Sequence, residues 1–328
     1  MNRKLSDEFM EDLQEGGMLH QLLGRIRKDD TLMLAIRENY INVYYRGGNI
    51  IKLKETSPNQ YIASFDDNYA AQCKEFLPKR CPEQIASKED IKPWLESLQA
   101  RKQVMDFWFH DHPKAEREFQ QLVVRENNDS GISNETEYFI ADIELASSEI
   151  GARFDMLAFK WPTGSRRSGK VQLALIEMKY GDSALKGEAG IIEHFEQIKK
   201  YLNDNSKRKS LVDMAEEQIN QLNKLGLIRH TREEREAKGE EQDFKFQVDD
   251  SHFEIIFLFA SHNPRSTILL DELNRLKESG IKEPNNNLFD LRFFVASTAG
   301  YAMHDTCMMS IDQYIDNIKF LTRKKGQK

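Results

Sequence analysis

Three charged residues stand inside apolar runs where a strand packed in a core would not normally carry them. Asp155 interrupts ARFDMLAFKW, and Glu177 and Lys179 interrupt KVQLALIEMKYG. Each run has the length and apolar content of a strand, and the polar, glycine-containing stretch at 162–170 reads as the loop of an antiparallel pair. Side chains alternate along a strand, so Glu177 and Lys179 share one face while Ile176 and Met178 point the other way. If Asp155 opposes that face, two carboxylates and an ammonium converge at one end of a sheet. Burying such a trio is costly, because the charges lose hydration that one ion pair seldom restores. A divalent cation changes the balance: Mg²⁺ is held by one or two carboxylates and completes its shell with waters and phosphate oxygens.

The elements that must position these residues can be read from spacing. Residues 138–146 read as a strand preceding the pair, with Asp142 and Glu144 on one face, either adding acidity near a metal or lining a solvated face. Residues 188–202 show helical spacing through Ile191, Ile192, Phe195, Ile198 and Leu202. Gln197 and Tyr201, four apart, share a face of that helix, either toward the charged trio or at the core edge. His194 lies off that face and reads as a packed or surface histidine rather than a base. Upstream, 114–127 reads as a helix carrying Glu118. Downstream come a helix at 214–227, a charged tract at 229–243, a buried strand at 253–260, a helix at 267–278, a strand at 291–296 and a helix at 310–320. Strand alternating with helix after a hairpin predicts an α/β domain with a mixed sheet flanked by helices.

The first hundred residues read differently. Residues 6–27 predict helix broken at Gly16-Gly17, and 31–65 predict four strands with a tight hairpin at Gly47-Gly48. Tyr40, Tyr44, Tyr45 and Arg46 could stack on nucleic acid, but packing a small sheet is the better reading. A helix follows from Ser87 through Phe107; His110, Asp111 and His112 at its end lack a third spaced ligand. The expected organisation is a smaller α+β domain over 1–105 and a second domain over 106–328.

The ordered set Glu118, Asp155, Glu177-Met178-Lys179 and Gln197-Ile-Lys-Lys-Tyr201 resembles the PD-(D/E)XK nuclease superfamily. The Gln-x-x-x-Tyr element is similar to that of its recombination-exonuclease branch. The resemblance covers residues 116–201 and departs at Phe154, where many members have proline. It implies a restriction-endonuclease-like sheet and a Mg²⁺- or Mn²⁺-dependent deoxyribonuclease of a defence, restriction or recombination system. Asp155, Glu177 and Glu118 would then hold metal, Lys179 would join Asp155 and Glu177 in catalysis, and Gln197 and Tyr201 would contact substrate. DNA is the implied partner, and a homodimer is implied by relatives that cut both strands. Two other readings stay open: a nucleic-acid-binding module without cleavage, and a protein whose three charges form a structural ion-pair network.

Composition bounds these readings. The 328 residues are 31% charged and 39% hydrophobic, enough for two domains with polar exteriors. No apolar run approaches a membrane span, the N-terminus lacks a signal-peptide core, and Cys73, Cys81 and Cys307 have no metal-ligand spacing; the expectation is a cytoplasmic protein. A net charge of −7 requires any nucleic-acid surface to be locally basic. Arg166-Arg167 with Lys170, Lys199-Lys200, Lys207-Arg208-Lys209 and Arg323-Lys324-Lys325 are the candidates.

Overall fold

The computed structural model describes residues 3–71, 73–77, 81–128, 136–147, 152–162, 168–228, 245–262, 267–279, 288–296, 303, 305 and 308–323. The charged tract 229–243, Arg166, Arg167, Lys324, Lys325 and Cys307 lie outside the described residues. The chain forms two compact α/β units, one comprising Asn2–Arg125 with Glu217–Asp243, the other Glu126–Glu216 with Phe244–Lys328.

The N-terminal unit is built on an antiparallel meander, Leu32–Arg37 (β1), Tyr40–Tyr45 (β2), Gly48–Ser57 (β3), Gln60–Ser64 (β4) and Gln84–Ile85 (β5), in sequential order. The β2–β3 turn falls one residue earlier than expected, on Arg46 and Gly47, both at positive φ (50° and 74°), the backbone that a two-residue hairpin turn requires. A side chain at Gly47 would run into the backbone of Arg117, 2.5 Å from a Cβ. That close approach docks helix Ala115–Asn128 onto the sheet. Its Gln121 accepts the Gly47 N–H at 2.6 Å and donates to Thr31 O at 2.8 Å, and its Arg125 reaches Asp30 at 2.8 Å. These bonds move the boundary from the expected 105/106 to Arg125. The tyrosines are packed rather than presented: Tyr44 is buried and Tyr45 donates to Asp106 at 3.1 Å. The expected break near Gly16-Gly17 separates helices Asp7–Leu13 (α1) and His20–Arg27 (α2). Helices Lys88–Glu96 (α3), Leu98–Asp111 (α4) and Ala115–Asn128 (α5) follow the sheet.

The second unit holds the mixed sheet: Tyr138–Ser147 (β6), Ala152–Lys160 (β7), Lys170–Tyr180 (β8), Gln247–Ala260 (β9) and Phe289–Val295 (β10), in the order β10-β9-β8-β7-β6. The first three pair antiparallel, while β8–β9 and β9–β10 pair parallel. Parallel neighbours need crossovers. Ile191–Asn203 (α6) and Asn205–Lys224 (α7) lie between β8 and β9 in the chain, Ile268–Glu278 (α8) lies between β9 and β10, and Ile311–Arg323 (α9) follows β10. The core of this unit is aromatic: Phe259, Phe293 and Tyr314 stack with centroids 5.5–6.3 Å apart. The central strand β8 is buried over most of its length and carries both Glu177 and Lys179.

Candidate active site at a fork in the mixed sheet

β7 and β8 pair from Lys160↔Gln172 to Met156↔Ile176, and their ladder stops there. Beyond it β7 continues on β6, through Leu145↔Phe154 and Ala146↔Arg153, and β8 continues on β9, through Glu177↔Phe257 and Lys179↔Phe259. The sheet opens into a fork whose first steps are Asp155 on one prong and Glu177 on the other. A buried backbone N–H at such a fork needs an acceptor that no neighbouring strand supplies. Asp155 supplies it: Met178 N donates to its Oδ2 at 2.9 Å. The bond holds a nearly buried carboxylate (5% exposed) against the residue that separates Glu177 from Lys179.

On the other prong, Lys179 Nζ donates to Glu177 Oε1 at 2.9 Å and to the Ala189 carbonyl at 2.6 Å. Glu177 and Lys179 are 2% and 3% exposed, so this pair is taken almost wholly out of water. The His194 Nδ1 packs directly on the same Glu177 oxygen and lies 3.2 Å from Lys179 Nζ. Burial pushes the Glu177 carboxyl upward, but the His194 hydrogen bond and the charge and hydrogen bond of Lys179 outweigh it, leaving Glu177 below the usual carboxylate range. Both outside contributions come from one connection. Residues 187–189 form a short 3₁₀ turn ending at the Ala189 carbonyl, and His194 is the fourth residue of α6. A side chain at Gly190, between them, would stand 2.9 Å from the Gly187 and Leu185 carbonyls, so this tight winding needs glycine.

The other expected residues take different places. Glu144, at φ 55°, falls between the pairs Ile143↔Met156 and Leu145↔Phe154, so the β6–β7 register sets it across from Asp155; its carboxylate pairs with Arg153. Asp142 follows a register shift after Ile140 and is fully buried, opposite Leu157. Tyr201 is buried, donates its hydroxyl to Lys207 O at 3.2 Å, and packs edge-on against Phe154 at 5.4 Å; burial, with Asp204 nearby, pushes it up to about 12. It supports the residue preceding Asp155 rather than offering its hydroxyl outward. Gln197 is exposed and donates to Glu193 at 3.2 Å. Glu118 belongs to the N-terminal unit, where its two oxygens take Arg46 at 2.7 and 3.1 Å. His194, read from the sequence as packed or surface, is the functional candidate that spacing missed.

Among the basic clusters, Lys199 pairs with Glu196, and Arg208 is spent on Leu202 O and Asn205. Among the described residues no group of three or more His, Cys, Asp or Glu stands ready to hold a metal, and no helix is long and apolar enough to cross a membrane. A cation bound between Asp155 and Glu177 would thus draw the rest of its shell from waters and substrate, which suits the hard oxygen donors of the fork. None of the protein-family models, curated proteins or solved structures compared with the chain matches it.

Proposed function

We propose that the chain is a metal-dependent nuclease that hydrolyses DNA phosphodiesters, with its site at the β7–β8 fork and the plan of the PD-(D/E)XK superfamily. One observation carries the reading: the Asp155 carboxylate bonds the main chain between Glu177 and Lys179, at the point where the β7–β8 ladder ends. Asp155 and Glu177 would hold Mg²⁺ or Mn²⁺. Bound there, the cation supplies a Lewis acid and a water of lowered pKa. Lys179, fixed by Glu177 and Ala189, sets a positive charge beside the reacting phosphate and orients it, an electrostatic role rather than that of a base. Tyr201 keeps Phe154, and through it the Asp155 prong, in place.

A second reading has its own support. Lys179 has three partners within the protein, Glu177, Ala189 and His194, as a closed structural network would. The test incubates the purified protein with linear and circular DNA, with Mg²⁺ or Mn²⁺ against EDTA, beside Glu177→Ala and Lys179→Ala. A nuclease cuts only with metal, and each variant loses on the order of 10²-fold or more while staying folded. Absence of cutting by wild-type protein under every condition, with no metal-dependent change in its stability, would leave the structural network as the reading instead.

A further inference from the structure

We infer that His194 is a positioning residue of the fork, whose Nδ1–H holds the Glu177 carboxylate in place for the cation and leaves Lys179 bonded to Glu177 and Ala189 alone. The inference rests on the reading of the fork as a cation-dependent site. A neutral imidazole nitrogen carries either a proton or a lone pair. Nδ1 of His194 touches Glu177 Oε1 and lies 3.2 Å from Lys179 Nζ, so it can donate to the first or accept from the second, not both. Without a proton, Nδ1 would press a lone pair against an ionised carboxylate oxygen in a site only 2–3% exposed. With one, that contact becomes a charge-assisted hydrogen bond, the stronger arrangement. The tautomer therefore follows from the network.

The consequence falls on Lys179. An ammonium has three donors. Glu177 and the Ala189 carbonyl take two of them, and a protonated Nδ1 cannot take the third. Lys179 is then bonded to Glu177 and Ala189 alone, beside the carboxylate proposed to bind the cation. His194 is suited to this because its side chain, 25% exposed, reaches the buried Glu177 from the first turn of α6. Groups that hydrogen-bond a ligating side chain typically change metal affinity by about 10–100-fold when removed.

Cation binding without DNA tests this directly. Full-length, metal-free protein is titrated with Mn²⁺ and free Mn²⁺ is read by electron paramagnetic resonance, for wild type, Glu177→Gln, His194→Ala, His194→Asn and His194→Gln. The Asn amide nitrogen stands where Nδ1 does, and that of Gln corresponds to Nε2. His194→Ala and His194→Gln are expected to weaken Mn²⁺ by about 10-fold or more, and His194→Asn by less than about 3-fold. The Asn–Gln contrast decides the matter even if the alanine variant fails to fold. Equal affinity for His194→Asn and His194→Gln, with Glu177→Gln unable to bind, would overturn the role of His194 and leave the cation site standing. Wild-type affinity in Glu177→Gln would remove the cation site itself and the inference with it.

Discussion

The Met178 N–H and the Asp155 carboxylate meet at 2.9 Å across a gap where β7 and β8 no longer pair. The carboxylate does for one backbone group what a strand would otherwise do, so Asp155 has a structural duty as well as a proposed chemical one. The two can be separated. Asp155→Asn keeps an oxygen acceptor and should keep the fold, whereas Asp155→Ala strands a buried N–H at a cost of about 1–3 kcal/mol. Urea melts should show that difference, and DNA cleavage should be lost in both. An alanine variant as stable as the asparagine one would mean that the Met178 N–H finds another partner.

Lys179 and Glu177 are both almost fully buried, and removing one strands the other. Lys179→Met should destabilise by about 3–5 kcal/mol, because the buried Glu177 carboxylate loses its ammonium partner and keeps only His194. Adding Glu177→Gln should recover most of that loss, since neither residue is then charged. The double-mutant cycle in chemical denaturation measures the coupling. Additive losses would mean that the pair is not coupled as its 2.9 Å contact requires.

Glu118 has a different expected signature. Its pairing with Arg46 is two-pronged but about one-third exposed, at side-chain exposures of 35% and 31%, and solvent screening holds its worth to about 1 kcal/mol. Glu118→Gln should lower stability by no more than that and leave Mn²⁺ titrations unchanged. A large loss of Mn²⁺ affinity would return Glu118 to the metal site that the family resemblance implied for it.

The contrast among these residues explains what could be read from the chain. Charge inside an apolar strand is a strong local signal, and Asp155, Glu177 and Lys179 were legible because the hairpin that joins them is local. His194 was not, because its contact depends on how the winding from Gly181 to Gly190 lands α6 beside β8, and two short 3₁₀ turns leave no periodicity to read. Tyr201 was legible as helical but not as buried, since only the packing against Phe154 decides that. The unit boundary was missed for a similar reason: nothing in the spacing of Ala115–Asn128 says which sheet it docks on, and Gly47 meeting Arg117 settles it. The first half of β9 is exposed and polar, so the strand was legible only from Phe253 although it begins at Gln247. Alternation failed on β6, where a register shift and a positive φ at Glu144 break the period.

If the fork takes a cation, binding must stabilise the folded state by mass action. Mg²⁺ at about 100 times its Kd should add about 2.7 kcal/mol, seen as a rise in melting temperature that EDTA reverses. Glu177→Ala should abolish the rise. The same rise in that variant would place the cation elsewhere and separate metal binding from the fork.

A last prediction concerns the sheet away from the fork. Lys160 donates to the buried Glu254 at 2.8 Å and to Asp305 at 2.6 Å, and Tyr138 donates to the other Glu254 oxygen at 2.7 Å. Burial pulls Lys160 down, but the two carboxylates outweigh it and raise it above its ordinary value near 10.5. Burial and then the Glu254 charge raise Tyr138 above its ordinary value of 10.0. Both groups bind their protons more tightly folded than unfolded. Their stabilisation is complete below the unfolded values and is lost as pH rises through the folded ones. Stability measured in denaturant should therefore fall from about pH 10 upward. Tyr138→Phe should soften that fall by removing one of the two protons. In neutral solution it should cost about 1 kcal/mol, the worth of one hydrogen bond. An alkaline limb identical in wild type and Tyr138→Phe would mean that the Tyr138 proton is not linked to folding, and the loss would then rest on Lys160 and the other buried tyrosines, Tyr201 among them.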